Sequence, residues 1–272
     1  ANCRFAHHQQ GKVSMSIQVD PEWWKTLFDE IYLLTDARSV CDPKITRREV
    51  DLICRLLPIQ DGHAVLDLCG GHGRHSLELS RRGFSACTLL DYSKTLINIA
   101  KANACKNNLE IKFICGDARQ MDIAPDSYDH VIIMGNSLGY VQEEGADAKI
   151  ISEAYRVLRD GGWILVDVAD GQAIRSSFRP NAWHEIGDCA IVCRQREIRE
   201  PFICAREIVM SKTDGVIRYQ SYAIRIYDAA DVSNLLAESG FNCIDIRTEF
   251  SPHAAKGDYG FMNNRMIAVG QK

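Results

Sequence analysis

A glycine-rich turn between an apolar run and a helical pattern constrains the fold of this chain more than any other stretch. The apolar run ends at Asp67, and three glycines follow within a few residues, Gly70, Gly71 and Gly73. A helical pattern starts directly after them. The order predicts a buried strand, a turn without side chains, and a helix whose N-terminus faces the ligand of the turn. Glycine lets the backbone approach a ligand that a Cβ atom would exclude.

Two classes of nucleotide-binding protein use such a turn, and the neighbouring residues favour one of them. The dinucleotide fingerprint G-x-G-x-x-G places a third glycine where this chain has Ser76. Asp67 precedes the turn, where its charge would repel a diphosphate and attract a cation. The stretch resembles the first motif of the class I S-adenosylmethionine-dependent methyltransferases, acid-x-Gly-x-Gly-x-Gly, with Cys69 in place of the first glycine. A strand–turn–helix of another α/β fold remains the alternative on this stretch alone.

The resemblance implies S-adenosylmethionine as the cofactor and a set of residues that contact it. These are Asp67, Leu68, Cys69, Gly70, Gly71 and Gly73 in the turn, Asp91 and Tyr92, Asp117, Ala118 and Arg119, and Met134 and Asn136. Each group directly follows or ends an apolar run that reads as a strand. Ligands bind at the carboxyl ends of the strands in open α/β sheets, so the groups are expected to meet there.

Asp91 carries the next most specific signal. It lies 18 residues beyond Gly73, close to the spacing of a ribose-binding acid in a nucleotide-binding unit. A carboxylate can accept hydrogen bonds from both ribose hydroxyls. The alternative is that Asp91 only caps the following helix. In the resembled family Asp117 and Ala118 would hold the adenine, and Tyr92 could stack on it.

The resemblance covers about residues 50–168 by motif and residues 228–272 by pattern. It implies an α/β fold with a seven-stranded, mostly parallel Rossmann-like sheet, helices on both faces and one reversed edge strand. Alternating segments predict an antiparallel β insertion of about three strands. The predicted division is a disordered or non-native leader (1–20), N-terminal helices and cofactor-binding core (21–170), the insertion as lid or substrate wall (171–227), and a closing helix and strands (228–272).

Two helix starts are predicted from capping patterns. Asp20 precedes a proline and a helical run of apolar residues, so a helix is expected to begin there. Thr46 and Glu49 have the spacing of a capping box before the next helix. In the first of these helices Trp24 and Tyr32 are expected either to pack in the core or to wall the cofactor site.

The loop after the fourth predicted strand is expected to contact the substrate. Its Gly-Asn-Ser, residues 135–137, resembles the corresponding loop of glycine N-methyltransferase and favours an amine-type substrate. Asn136 is expected to orient the nucleophile through its side-chain carbonyl.

If the nucleophile needs a base, His184 or a tyrosine, Tyr227, is the candidate. Tyr259 and Arg265, in a polar–aromatic loop, are expected either to bind substrate or to belong to a plain connection. No cluster of His, Asp and Glu suggests a magnesium site, so metal independence is predicted.

Composition limits the function further. The chain has 272 residues, a formal net charge of −4 and no basic stripe, which argues against nucleic acid as a partner. It has no apolar run long enough to span a membrane. Its 11 cysteines contain no C-x-x-C pair, which favours reduced thiols and a cytoplasmic protein.

The sequence therefore predicts methyl transfer to nitrogen or oxygen of a small molecule. The insertion could also form the contact between subunits of a homo-oligomer. The alternatives are an RNA- or protein-modifying methyltransferase, a nucleotide-binding oxidoreductase, and a non-catalytic methyltransferase-like subunit.

Overall fold

The computed structural model describes residues 16–253 and 262–272 as nine helices and eleven strands. The helices are α1 (Trp24–Leu27), α2 (Glu30–Thr35), α3 (Ala37–Val40), α4 (Pro43–Leu56), α5 (Arg74–Arg81), α6 (Lys94–Lys106), α7 (Ala146–Val157), α8 (Gly171–Ser176) and α9 (Ala229–Glu238). The strands are β1 (Val65–Leu68), β2 (Cys87–Asp91), β3 (Lys112–Cys115), β4 (Tyr128–Ile133), β5 (Leu158–Ala169), β6 (Asn181–Ile186), β7 (Ala190–Arg199), β8 (Phe202–Ser211), β9 (Gly215–Arg225), β10 (Asn242–Phe250) and β11 (Arg265–Gln271).

Seven strands form the main sheet in the order β10-β11-β5-β4-β1-β2-β3. The pairs among β1 to β5 are parallel, and β11 runs antiparallel to both of its neighbours. The predicted seven-stranded, mostly parallel sheet is confirmed. The reversed strand was expected at the edge, but it lies one position inside it, with β10 outermost.

Helices cover both faces of this sheet because its central strands are apolar on both sides. Helices α7 and α9 pack with one set of strand residues, including Leu66 and Val131. Helices α4, α5 and α6 pack on the opposite face, against residues such as Val65, Leu89 and Ile132. Within the described residues, no helix has the length and apolar character needed to cross a bilayer.

The insertion forms a second, antiparallel sheet in the order β6-β7-β8-β9. The sequence predicted about three strands, and the structure has four. The strand that the prediction missed is β6, whose residues alternate between exposed and half-buried positions. An edge strand with one solvent-facing side gives only a weak apolar pattern, which is why its sequence did not indicate a strand.

The N-terminal region differs from the single helix expected after Asp20. Helix α1 ends at Leu27, and Asp29 caps α2 by accepting from the amides of Ile31 and Tyr32. Asp20 instead accepts from the amide of Glu22. The break divides the region into three short helices, α1, α2 and α3, whose residues line the cavities described below.

Part of the predicted leader is ordered against the inserted sheet. Ile17 is 1% exposed and packs with Cys204 and Ala223. Its amide donates to Glu197 and its carbonyl accepts from Arg199. Residues 16–20 are therefore ordered, which contradicts the disordered alternative of the leader prediction for this segment; residues 1–15 lie outside the described part of the chain.

Candidate functional site

The glycine turn is tight enough that side chains would not fit at two of its positions. A Cβ atom on Gly70 would lie 2.7 Å from Cγ of Asp67, and one on Gly73 would lie 2.8 Å from Cδ1 of Leu89. Gly73 also has a φ of 77°, which is unfavourable for other residues. The turn therefore exposes bare backbone at the carboxyl end of β1.

Asp67 has a different role from the one predicted. It is 1% exposed, and its Oδ2 accepts from the amide and the hydroxyl of Ser76, at 3.2 and 2.7 Å. Ser76 replaces the third glycine of a dinucleotide turn, and here its hydroxyl ties the strand end to α5. Neither Asp67 nor the fully buried Leu68 lines the cavity described next. The expectation that Asp67 faces a cationic ligand is not met, because its carboxylate lies beneath the turn.

A first cavity of about 1010 Å³, its open mouth included, lies at the carboxyl ends of β1 to β4. Nine of the residues predicted to contact the cofactor line it: Cys69, Gly70, Gly71, Asp91, Tyr92, Asp117, Ala118, Arg119 and Met134. The N-terminal helical region completes the lining with Trp24, Phe28 and Tyr32. Gly73 shapes the turn from below and is not part of the lining.

Asp91 joins the turn to the end of β2. Its Oδ2 accepts from the amide of Gly71 at 2.8 Å and its Oδ1 from the amide of Ser93 at 2.7 Å. Burial raises the pKa of Asp91 to about 6, and these two amides partly oppose that rise. Each carboxylate oxygen keeps acceptor capacity for a further donor. Asp91 can therefore accept hydrogen bonds from a bound ligand while it supports the turn.

An ion pair and two aromatic rings form the mouth of the first cavity. The Arg119 guanidinium contacts the carboxylate of Asp117 at 2.6 Å, and this hydrogen bond holds the pKa of Asp117 below its usual value. The guanidinium lies 5.2 Å from the ring centre of Trp24, and that ring meets Tyr92 edge to face at 4.8 Å. Since Tyr92 is 42% exposed, the two rings flank the entrance to the first cavity.

A second cavity of about 740 Å³, its open mouth included, adjoins the first. It lies between the N-terminal helices and the inserted sheet, from which Arg194, Arg196, Glu207, Arg218 and Tyr222 line it. Both cavities share the lining residues Phe28, Tyr32, Val40, Gly135 and Tyr140. The two cavities are therefore neighbours that share one wall.

The residues predicted to be catalytic are dispersed. Asn136 lines the second cavity, but its Oδ1 accepts from the amide of Ala169 at 2.8 Å. Its carbonyl thus fixes the backbone, and it has a strained φ of 62°. His184 lines neither cavity, and its Nε2 lies 3.4 Å from the carbonyl of Thr35.

Tyr227 also lies outside both cavities, and its hydroxyl donates to Asp147 at 2.5 Å. Substrate binding was one of two alternatives for Arg265, and its full burial in the core excludes that alternative. Tyr259 lies outside the described residues. These placements leave the two sequence-based candidates for a base without access to either cavity.

A buried charge network beneath the turn was missed by sequence reasoning. Glu49 is fully buried and binds Arg74, His75 and Arg265. Arg265 lies 2.7 Å from Asp167, whose Oδ2 also accepts from the amide of Gly135. The network thus links α4, the start of α5, β5 and β11.

The spacing of Thr46 and Glu49 gave a false signal of a capping box at this site. Helix α4 begins earlier, at Pro43, where Asp42 caps it. Burial alone would raise the pKa of Glu49, but the Arg74 and Arg265 guanidinium groups hold that pKa well below its ordinary value. Glu49 is therefore an ionised member of the core.

The comparisons with known proteins agree with this geometry. Residues 65–162, which contain the turn, Asp91 and Asp117, match the family model of the methyltransferase domain. The chain therefore contains a methyltransferase domain, as its resemblance to the class I S-adenosylmethionine-dependent methyltransferases implied. A Geobacillus protein (strain WCH70) named as a methyltransferase is 24% identical over 211 residues, 72% of this chain and 80% of its own length.

Two further methyltransferases are similar to this chain in sequence or in fold. The glycine/sarcosine N-methyltransferase of Parasynechococcus marenigrum (strain WH8102) is 31% identical over 121 residues, 44% of this chain and only 42% of that protein. The structure of the sugar N-methyltransferase KedS8 from Streptoalloteichus sp ATCC 53650 has a TM-score of 0.62 and 18% identity, covering 98% of this chain and 99% of that one. The second similarity shows a shared fold over nearly the whole chain.

The first cavity fits the cofactor of this methyltransferase family. Gly70 and Gly71 line this cavity with backbone alone, so a ligand can approach the turn closely. Asp91 has acceptor capacity for ribose hydroxyls, and Asp117 lies where the next strand ends. Aromatic rings of Phe28 and Tyr32 in the wall suit a sulfonium cation. The nucleotide-binding oxidoreductase considered from the sequence has no support among these observations.

Proposed function

We propose that this methyltransferase transfers a methyl group to nitrogen or oxygen of a small molecule held in the second cavity, without a metal ion. The observation that carries the proposal is the shared wall of the two cavities. The second cavity is bounded by α1 to α3 on one side and by the inserted sheet on the other. A cleft walled on two sides in this way favours a small molecule over a macromolecular substrate.

S-adenosylmethionine, when bound, supplies an electrophilic methyl group on a sulfonium centre. The residues of this chain supply binding, orientation and exclusion of water. We place the cofactor in the first cavity, with Asp91 on the ribose, Asp117 and Ala118 on the adenine, and Trp24 with Tyr92 at the entrance. Holding two reactants in contact removes much of the entropic barrier to a bimolecular reaction.

Tyrosines surround the point where the two cavities meet. Tyr32 and Tyr140 line both cavities, and Tyr222 lines the second. Burial raises the pKa of Tyr222 to about 12 and the pKa values of Tyr32 and Tyr140 well above the ordinary value. All three hydroxyls are therefore protonated at neutral pH. They can orient an acceptor by hydrogen bonding but do not act as bases, so the proposal favours an acceptor that arrives with a free lone pair.

Metal independence remains part of the proposal. In residues 16–253 and 262–272, no group of three or more His, Cys, Asp and Glu side chains is arranged to hold an ion. Displacement at a sulfonium methyl also needs little Lewis-acid assistance when the nucleophile is an amine. We therefore expect full activity in the presence of a chelator.

The test is a methyl-transfer screen with tritiated S-adenosylmethionine. The acceptors are small amines, phenols and carboxylates, run beside RNA and protein fractions. We expect label in one or more small molecules. The negative control is an Asp91→Ala variant, which we expect to have lost most cofactor binding. Label confined to the RNA or protein fractions would overturn the proposal.

A further inference from the structure

One wall of the second cavity is aromatic. Phe28 and Tyr140 stack with their ring centres 5.3 Å apart, and Tyr32 meets Phe28 edge to face at 5.0 Å. These three side chains are half-buried and line both cavities, so a ligand can contact their rings. Trp23 is 2% exposed, and its ring packs edge to face on Tyr140 at 5.4 Å. We refer to Phe28, Tyr32 and Tyr140 as the aromatic wall.

The charged residues of the second cavity are bound to one another or to a residue outside the lining. Among the described residues they are Arg194, Arg196, Arg218, Asp36 and Glu207. Arg194 contacts Glu207 at 2.7 Å and Asp36 at 3.0 Å. Arg218 binds Asp29, which does not line the cavity, and the remaining arginine has a partner of its own. With Asp29 included, three arginines are matched by three carboxylates in this part of the structure.

This pairing favours an uncharged acceptor. Glu207 is 2% exposed and Arg218 is 7% exposed, so both side chains are held among their partners. A charged ligand would lose hydration without gaining a free counter-charge from this lining, which is unfavourable. Aliphatic amines carry a proton at neutral pH, as the lysine side chain does. Aromatic amines are much weaker bases, so they are uncharged at neutral pH and keep the lone pair on nitrogen.

We propose that the methyl acceptor is an uncharged aromatic amine whose ring packs on the aromatic wall. This inference rests on the proposed function and adds the chemical class of its substrate. Aromatic rings pack favourably on one another in offset or edge-to-face arrangements. Burial raises the pKa of Tyr32 and of Tyr140, so their hydroxyls are protonated and can hydrogen-bond polar groups of the acceptor.

An aromatic amine needs no base before it reacts. Its nitrogen lone pair forms the new N–CH3 bond while the S–CH3 bond breaks, and the electrons of the broken bond stay on sulfur, which becomes a neutral thioether. The positive charge passes from sulfur to nitrogen, and the nitrogen then loses its proton to water. Because the aromatic wall lines both cavities, its rings can contact the cation before and after the transfer.

Three probes of nearly the same shape test the preference for an uncharged acceptor. They are 4-aminobenzamide, which is neutral, 4-aminobenzoate, which is an anion, and 4-aminobenzamidine, which is a cation. Each is titrated by calorimetry into the full chain saturated with S-adenosylhomocysteine. We expect the neutral amide to bind at least ten times as tightly as either charged probe, because each charge would be buried without a free partner. A smaller ratio for either probe, or no binding by 4-aminobenzamide, overturns the proposal.

A second comparison tests the packing of rings. Benzamide and cyclohexanecarboxamide are both neutral and differ in the aromatic ring, and we expect benzamide to bind at least three times as tightly. Phe28→Leu removes one ring of the aromatic wall and should reduce this preference at least twofold, whereas Phe28→Tyr, which keeps a ring, should retain it. The matched control is Phe84→Leu, since Phe84 is half-buried in the core and lines neither cavity.

Thermal midpoints verify that the three variants fold. A preference that is unchanged in a folded Phe28→Leu protein, or one that falls equally in Phe84→Leu, overturns the assignment to the aromatic wall. Equal affinity of the wild type for benzamide and cyclohexanecarboxamide does the same. The wild-type comparisons need no variant, so a misfolded Phe28→Leu protein leaves the proposal testable.

The tritium screen separates this inference from the proposed function. Label found only in RNA or protein removes both. Label found in aliphatic amines or in carboxylates, but not in neutral aromatic amines such as 4-aminobenzamide, keeps the proposed function and removes only the aromatic amine.

Discussion

Replacing Glu49 by glutamine tests whether a buried charge network holds the glycine turn. Glu49 is fully buried, and so is Arg265, while Arg74 is 9% exposed. The wild-type network sets the guanidinium groups of Arg74 and Arg265 against the carboxylates of Glu49 and Asp167. Glutamine keeps the shape of Glu49 and removes its charge. Two buried cations would then share one carboxylate.

The expected loss of stability is large. Removing one partner of a buried ion pair costs about 3–5 kcal/mol, because the remaining charge is left uncompensated. For a chain of this size, that loss corresponds to a fall in Tm of roughly 6–20 °C. Arg74 also lines the first cavity, so affinity for S-adenosylhomocysteine should fall together with stability.

Urea and thermal unfolding of the purified chain measure this loss. The matched control is Asp51→Asn on the same helix. The Asp51 side chain is 59% exposed, and its carboxylate contacts Arg82 at the surface. That exposed pair is expected to contribute only about 0–1 kcal/mol. If Glu49→Gln and Asp51→Asn destabilise the chain equally, the reasoning about the buried network is refuted.

The pH dependence provides a second check on Glu49. Its pKa in the folded chain lies well below the ordinary value near 4.5, so the unfolded chain binds the proton more readily. The contribution of Glu49 is therefore complete above that ordinary value and is lost only as the pH falls through the folded pKa. The stability difference between wild type and Glu49→Gln should be constant above about pH 5 and shrink in acid. A difference that grows in acid would contradict this assignment.

Three further predictions concern the turn and a tyrosine. Burial raises the pKa of Asp91 to about 6, so affinity for S-adenosylhomocysteine should be constant above that pH and fall below it, and Asp91→Asn should abolish this dependence in calorimetry. Gly73→Ala places a methyl group 2.8 Å from Leu89 at a positive φ, which should cost about 1–3 kcal/mol in urea unfolding. Tyr227→Phe removes a hydrogen bond to Asp147 that lines neither cavity, so it should cost about 1–2 kcal/mol and leave kcat unchanged; a large fall in kcat would return Tyr227 to the site.

The chain order of the motifs was sufficient to predict much of the fold and of the first cavity. Apolar runs that each end in a short polar group mark the parallel strands. The carboxyl ends of such strands meet at one sheet edge. This is why Asp91, Asp117 and Met134 line one cavity together with the glycine turn. Asp67 shows the limit of the approach, since sequence placed its carboxylate at the turn but did not indicate on which side of it.

What sequence determined by itself is therefore the local sequence of strand, turn and helix, and the family that uses it. Only the tertiary structure decided which charged groups meet. Glu49 binds Arg265 across 216 positions of the chain, and Arg218 binds Asp29 across 189. Neither pairing leaves a periodic trace, because it depends on how separate elements pack and not on neighbours within one element. The second cavity has the same origin, since it lies between α1 to α3 and the inserted sheet, which are far apart in the sequence.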